Sequence, residues 1–268
     1  MNIYYYANQV YQYAHIKPVF TQTGGTFVVN KLNRFLRFKF YMANSATNST
    51  ENRFIENPDV IIRNLRKKLD LKGVIVSCSN TIIKNNKDTS ISIFIGHGAG
   101  DKKYGGSAHC LETYDYHFIS GDKHLHKIKD VGIKIPDEKL IKIGYPKFDE
   151  YLNNKINKDE YLDYLGIRDK TRKNILYAPT WEWGDGTLKK FGKKFCREIS
   201  REHNIIIRPH FQDRSHIVKL KIWAKLNGLK HVYFSNPAKI IKNNTMNDFA
   251  ISDLLISDTS SINYEYLI

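Results

Sequence analysis

The sequence predicts an α/β fold made of two Rossmann-like parallel-sheet units. Two observations carry that reading. Eight short runs rich in Ile and Val recur from Gly73 onward, each followed by a Gly, Pro, Ser or Asp turn signal. Such continuous apolar runs, without alternation, suit strands buried on both faces of a parallel sheet. Between the runs lie stretches with apolar residues at helical spacing. Strand–helix alternation of this kind means a parallel sheet joined by right-handed crossovers.

Taken in order, the first series of strands is Gly73–Ser77, Ile91–Ile95, Tyr116–Ser120 and Leu140–Ile143. The first 72 residues are expected to begin the same unit, with a helix over Phe54–Leu69. The polar stretch from Glu150 to Lys173 reads as helices that carry the chain from one unit to the next. The second series is Asn174–Tyr177, Asn204–Arg208, His231–Phe234 and Asp253–Ser257, with helices over Leu188–His203 and Ser215–Leu226. The domain boundaries expected from this pattern are 1–155 and 156–268.

Composition narrows the function classes. The 268 residues are 41% hydrophobic and 13% aromatic, which excludes a disordered chain. A spanning helix needs ~20 apolar residues, and no run approaches that length. Met1–Tyr6 lacks the basic and apolar regions of a secretory signal. Cys78, Cys110 and Cys196 are odd in number and far apart, which argues for a reducing compartment rather than a disulfide framework. Lys and Arg total 42 against 27 Asp and Glu, a net charge of +15. That excess suits anionic partners. It is spread over both halves, although residues 1–50 hold five basic residues and no acidic one. No helix-turn-helix, zinc-finger or RNP-type pattern occurs, so nucleic acid is not an expected partner.

Ligands of open α/β sheets bind beyond the carboxyl ends of the strands, which singles out four loops. Gly96-His97-Gly98-Ala99-Gly100-Asp101-Lys102 follows the second run. Its glycines let backbone amides approach an anion, its lysine adds charge, and its histidine can take a proton near neutral pH. It is not a Walker A loop. Ala178-Pro179-Thr180-Trp181 could wall a nucleotide or sugar pocket. Arg208-Pro209-His210 offers groups suited to phosphate oxygens. Asp258-Thr259-Ser260-Ser261 opens a helix through Asn263–Leu267, where free amides and a positive dipole end favour an anion. By contrast, the spacing of His109, Cys110, His117, His124 and His126 fits no standard zinc pattern.

Together these loops resemble those of the CDP-glycerol glycerophosphotransferases, the teichoic acid primases and polymerases. His97-Gly98-x-x-x-Lys102-x-x-Gly105 matches the family's His-Gly-Thr-x-x-Lys-x-x-Gly loop in spacing. Gly144-Tyr145-Pro146-Lys147-x-Asp149 is similar to its Gly-Tyr-Pro-Arg-x-Asp turn. Tyr177-Ala178-Pro179-Thr180-Trp181 is unchanged, Arg208-Pro209-His210 resembles the segment of the second family histidine, and Asp258-Thr259-Ser260-Ser261 resembles Asp-Tyr-Ser-Ser. Ala99, Lys147, Glu182 and Thr259 depart from the pattern and leave the donor polyol open.

The resemblance implies a GT-B-like fold, with an acceptor-side domain and a nucleotide-donor domain facing across a cleft. It implies transfer of glycerol phosphate from CDP-glycerol, or of a related CDP-polyol's phosphate, to a lipid-linked or polymeric glycan acceptor, releasing CMP. His97 would be the general base. Arg208 and His210 would hold the pyrophosphate, joined by Ser260 and Ser261, with Lys102 a further charge and Gly98 and Asp258 among the substrate-binding residues. Thr180 and Trp181 would border the cytidine. No cofactor is needed for this chemistry, and no motif calls for a divalent cation. An anionic membrane surface on the cytoplasmic side is the expected location, through peripheral, salt-sensitive contact. The competing expectations are a GT-B glycosyltransferase or epimerase using a nucleotide sugar, and a non-catalytic module that binds anionic polymer. Because the family continues beyond the serine-bearing helix, the second domain is expected to be C-terminally incomplete.

Overall fold

The computed structural model describes residues 1–7, 9–43, 58–64, 67–98, 108–239 and 242–268. The chain divides into two compact units, Met1–Asp149 and Glu150–Ile268.

The first unit is a seven-stranded sheet of β1 (Ile3–Tyr6), β2 (Thr26–Val29), β3 (Val60–Ile62), β4 (Gly73–Ser77), β5 (Ser90–Phe94), β6 (Tyr116–Ile119) and β7 (Leu140–Lys142). All pairings are parallel, in the order β3-β2-β1-β4-β5-β6-β7. The order reverses between β1 and β4, the doubly wound arrangement with a crevice beyond the carboxyl ends of the strands. Gly73 lets β4 start against β1: its φ is +129°, and a Cβ there would lie 2.2 Å from the Asn2 carbonyl oxygen.

Two hydrophobic layers sandwich this sheet. Helices α1 (Tyr13–Thr23) and α2 (Leu32–Ala43) enclose Tyr5, Tyr13, Phe20, Phe27 and Phe38, whose ring centroids lie 5.1–6.2 Å apart. Tyr6, Ile75, Phe94, Leu111, Tyr114 and Ile119 pack together in a second cluster, which α3 (Asp122–Asp130) joins through Ile128. Burying each such side chain is worth roughly 1.5–3 kcal/mol, and edge-to-face ring pairs add to it.

The helix expected over Phe54–Leu69 is not what forms. Val60–Ile62 is β3, paired in parallel with Phe27–Val29. Pro58 just before it disfavours helical backbone, and the β-branched run favours a strand. Residues 54–57 and 65–66 lie outside the described residues.

In the polar stretch after residue 148, α4 (Asp149–Leu152) is followed by α5 (Lys158–Leu165). The Asn157 side chain accepts from the Glu160 amide at α5's start, and Gly166 closes the helix in the left-handed region. The second unit's sheet is β8 (Asn174–Tyr177), β9 (Asn204–Ile207), β10 (Val232–Phe234) and β11 (Leu254–Ile256), all parallel, in the order β10-β9-β8-β11. Every residue of β8 and β9 is buried, as their unbroken apolar runs require. Helix α6 (Leu188–Ile199) buries Leu188, Gly192 and Cys196, one stripe at helical spacing. It packs against α7 (His216–Leu226), whose Leu220 approaches Gly192 closely. The unit closes with α8 (Thr245–Ile251) and α9 (Ile262–Glu265).

Candidate functional site

The first unit builds its site around His97. Strand β5 ends at Phe94, and Gly96, at φ +68°, turns the chain so that His97 follows at the strand's carboxyl end. His97 Nδ1 is hydrogen-bonded to the carbonyl of Cys78, the residue after β4. A carbonyl only accepts, so the ring proton sits on Nδ1 and Nε2 keeps its lone pair. The rings of Tyr11 and His15 flank the imidazole edge-on, with centroids 6.3 and 6.4 Å away. His15, on α1, pairs with the Tyr145 hydroxyl at 2.9 Å, and α1 packs on the turn Pro146–Phe148. A pocket here is lined by His15, Gly98, His124, Gly144, Tyr145 and Lys147.

Burial and nearby lysines keep these histidines neutral. Burial lowers the His97 pKa, opposed by the Cys78 carbonyl and aided by Lys127. Burial, then Lys147 and His97, hold His15 well below its ordinary value. Burial and Lys127 push His124 down to about 4, and His117, behind it in the core, is also pushed to about 4, chiefly by burial. These groups bind fewer protons folded than unfolded, so their contribution is intact above the ordinary histidine pKa and is lost as pH falls below it. We expect the first unit to lose stability from about pH 6.5 down to about 4, at up to about 1.4 kcal/mol per pH unit for each histidine. Denaturant midpoints measured across that range check it; a flat profile contradicts it.

The second unit gathers its loops at the carboxyl ends of β11, β8 and β9, three neighbouring strands. Asp258 organises two of them. One carboxylate oxygen accepts from the Thr180 amide at 2.8 Å, and the other accepts from the Thr187 amide and hydroxyl at 2.9 Å. The loop doubles back so tightly that a Cβ on Gly186 would lie 2.3 Å from the Thr180 carbonyl oxygen. Only glycine fits there. Trp181 is thereby held 37% exposed, its ring 6.1 Å from that of His210. Asp213 ties the two loops by accepting from the Glu182 amide at 2.7 Å. His210 Nδ1 accepts from the Gln212 amide at 3.2 Å. Its neutral ring therefore carries the proton on Nε2, the opposite tautomer from His97.

Some of the expected site residues have other tasks. Arg208 is turned inward. Its Nη1 lies 2.7 Å from the fully buried Asp248 carboxylate and 2.8 Å from both Ser235 Oγ and the Asn243 carbonyl. It anchors the strand end from which His210 projects rather than offering that nitrogen to a phosphate. Asp258 acts as an acceptor inside the fold. Ser260 and Ser261 precede α9, which runs for four residues rather than through Leu267, so its dipole is that of one turn. Thr259 Oγ1 donates to the Gly184 carbonyl, placing this serine loop beside the Trp181 loop. Gly98 borders the pocket lined by His15, Tyr145 and Lys147, which His97 itself does not line, while Lys102 lies outside the described residues. Sequence reasoning missed His15, Thr187 and Asp213 as parts of the two sites. His15 stands in α1, far along the chain from any strand-end loop of the first series.

Comparison with known proteins points to one family. A family model described as CDP-Glycerol:Poly(glycerophosphate) glycerophosphotransferase matches residues 97–268. A teichoic acid poly(glycerol phosphate) polymerase of Staphylococcus epidermidis is 29% identical over 168 residues, 57% of this chain and 21% of that protein. A teichoic acid glycerol-phosphate primase of Bacillus subtilis is 30% identical over 162 residues, 58% of this chain and 38% of that protein. The chain thus spans well under half the length of these two relatives. Among solved structures, the wall teichoic acid polymerase TagF superposes with a TM-score of 0.59 at 19% identity, over 99% of this chain and 67% of that one. A UDP-GlcNAc 2-epimerase from Neisseria meningitidis superposes with a TM-score of 0.60 at 12% identity, over 98% and 79%. These likenesses show a GT-B-like fold. With the family model covering 97–268 and the strand-end loops in the expected order, the chain belongs to the CDP-glycerol:poly(glycerophosphate) glycerophosphotransferase family.

Proposed function

We propose that this chain transfers glycerol phosphate, or a similar polyol phosphate, from CDP-glycerol to an acceptor hydroxyl on a lipid-linked or polymeric glycan, releasing CMP. The observation that carries the reading is the state of His97: neutral, with Nδ1 engaged by the Cys78 carbonyl and Nε2 left as a base. In this mechanism Nε2 takes the proton of the acceptor hydroxyl as its oxygen attacks the phosphorus that bears the glycerol. The bond from that phosphorus to the bridging oxygen breaks, and CMP leaves with the electron pair. His210, with its proton on Nε2, donates to the phosphates as charge grows on the leaving group. Trp181 and Thr180 border the cytidine, and the Ser260–Ser261 loop completes the phosphate side. Positioning and charge neutralisation supply most of the rate in such transfers. The acceptor places the chain against the anionic cytoplasmic face of a membrane, which its +15 charge favours.

The test is a donor screen with a glycerol-phosphate-primed lipid acceptor. CDP-glycerol or another CDP-polyol is expected to yield CMP, with UDP- and GDP-sugars inert. Turnover of a nucleotide sugar without CMP release would instead favour the epimerase-like reading that the fold also accommodates.

A further inference from the structure

Beside His97 the first unit holds a pocket to which the mechanism gives no task. It lies beyond the carboxyl ends of β5, β6 and β7, three neighbouring strands, where Gly98, Ser120 and Gly144 line it. That is where an open α/β sheet takes its ligands. Gly144, at φ +76°, turns the chain after β7, and Tyr145 and Lys147 follow it into the wall. On the α1 side the wall is His15, whose ring neighbours that of His97 and whose Nδ1 pairs with the Tyr145 hydroxyl. On the α3 side it is His124, and a Cβ on Gly96 would lie 3.9 Å from its Cε1. The pocket is thus continuous with the loop that carries the base.

Its wall is rich in donors. His124 Nδ1 accepts from the Ser120 amide at 3.4 Å, so its neutral ring carries the proton on Nε2. That N–H and the Ser120 hydroxyl make no hydrogen bond with the described residues. Lys147 is 9% exposed, which is rare for a lysine. Among the described residues no Asp or Glu lines the pocket. Asp122, the acid nearest Ser120 in the chain, is paired with Lys142 at 2.6 Å instead. Donors and a cation without an acid suit an oxyanion, and phosphate oxygens take such bonds in their stronger, charge-assisted form.

We infer that this pocket binds the phosphate nearest the reacting end of the acceptor, read by Lys147, Ser120 and His124. The inference rests on the proposed function and decides between its acceptors: the chain extends an end that already carries a polyol phosphate, in preference to a neutral sugar end. In such an end one polyol separates the attacked hydroxyl from the phosphate. Adjacent strands lie ~4.8 Å apart, so a hydroxyl at His97, after β5, leaves the phosphate over the ends of β6 and β7. A neutral sugar would bring no charge to Lys147, and a site built for charged hydrogen bonds turns that loss into selectivity.

The test compares two water-soluble acceptors, one ending in glycerol phosphate and one in an unphosphorylated sugar, with CDP-glycerol as donor. Lys147→Met is expected to raise KM for the glycerol-phosphate acceptor roughly 10–100-fold, the worth of a hydrogen bond to a charged group, with KM for CDP-glycerol unchanged. Lys147→Arg should keep the wild-type KM within about threefold, since it retains the charge. Ser120→Ala, which removes one oxygen, should raise the same KM roughly 2–10-fold. Independently of turnover, glycerol 3-phosphate is expected to shift the ring NMR signals of His15 and His124 in the wild type and in Lys147→Arg but not in Lys147→Met, and glycerol to shift them in none. A rise in the donor's KM instead, equal use of the two acceptors, or rings that glycerol 3-phosphate leaves unmoved overturns the inference. Glycerol 3-phosphate binding that depends on Lys147 and Ser120, in a chain that turns over no CDP-polyol, would overturn the proposed activity and leave the phosphate pocket standing.

Discussion

Replacing His97 with asparagine is expected to lower kcat roughly 10²–10⁴-fold, the usual contribution of a positioned general base. Asparagine can still donate an amide hydrogen toward the Cys78 carbonyl, so the loop keeps its anchor while the base is lost. KM for the donor should change little, because the donor's phosphates and base are assigned to the second unit's loops. The wild-type profile of kcat/KM should show an acid limb with its midpoint below about 6.5, since burial and Lys127 lower the His97 pKa. Below that midpoint the ring is protonated and cannot accept the hydroxyl proton; above it the rate reaches a plateau. The variant should lack this limb. Near-wild-type turnover by His97→Asn, or a limb above pH 7, rejects His97 as the base.

Asp248→Ala is expected to destabilise the protein by about 3–5 kcal/mol, because removing one partner leaves the other charge buried and uncompensated. Asp248 is fully buried, and Arg208 retains 12% side-chain exposure. Burial pushes the Asp248 pKa up, while the Arg208 guanidinium, the Tyr161 hydroxyl and the Ser235 hydroxyl act against it. Tyr161 and Ser235 donate to its two oxygens at 2.8 and 2.9 Å. One carboxylate therefore ties together α5, the ends of β9 and β10, and α8. Replacing both charges with apolar residues, as Arg208→Met/Asp248→Leu, should cost less than either single change. Denaturant unfolding of the three variants measures this. A loss under ~1 kcal/mol for Asp248→Ala would mean that the pair contributes no more than a surface ion pair.

Legibility in the sequence followed burial. β8 and β9 were plain because Asn-Ile-Leu-Tyr and Asn-Ile-Ile-Ile are buried throughout and, after the leading asparagine, written in apolar residues. β1 was not, although it lies near the centre of its sheet: Ile3-Tyr-Tyr-Tyr has no turn signal at its start, and three tyrosines in a row favour no period. β3 was read as helix because Val-Ile-Ile falls among apolar residues that also fit a helical spacing. Trp181 and His210 were legible as loop residues, but nothing in the chain states that they stand 6.1 Å apart.

The sequence by itself determined the alternation of strands and helices, the strand-end loops and the family to which they belong. These are local properties: apolar runs, turn residues and motif spacing are all written within a dozen residues. What only the tertiary structure decided is which side chains in those loops face a ligand. Arg208 reads as a phosphate-binding group from its neighbours Pro209 and His210, yet it points inward because Asp248, 40 residues later, is buried there and ion-pairs with no other cation among the described residues. His97 reads as a histidine between glycines, and its role as a base depends on the Cys78 carbonyl from the neighbouring strand. A tautomer, a buried counter-charge and a ring contact arise from residues distant along the chain, and parallel crossovers are what bring them together.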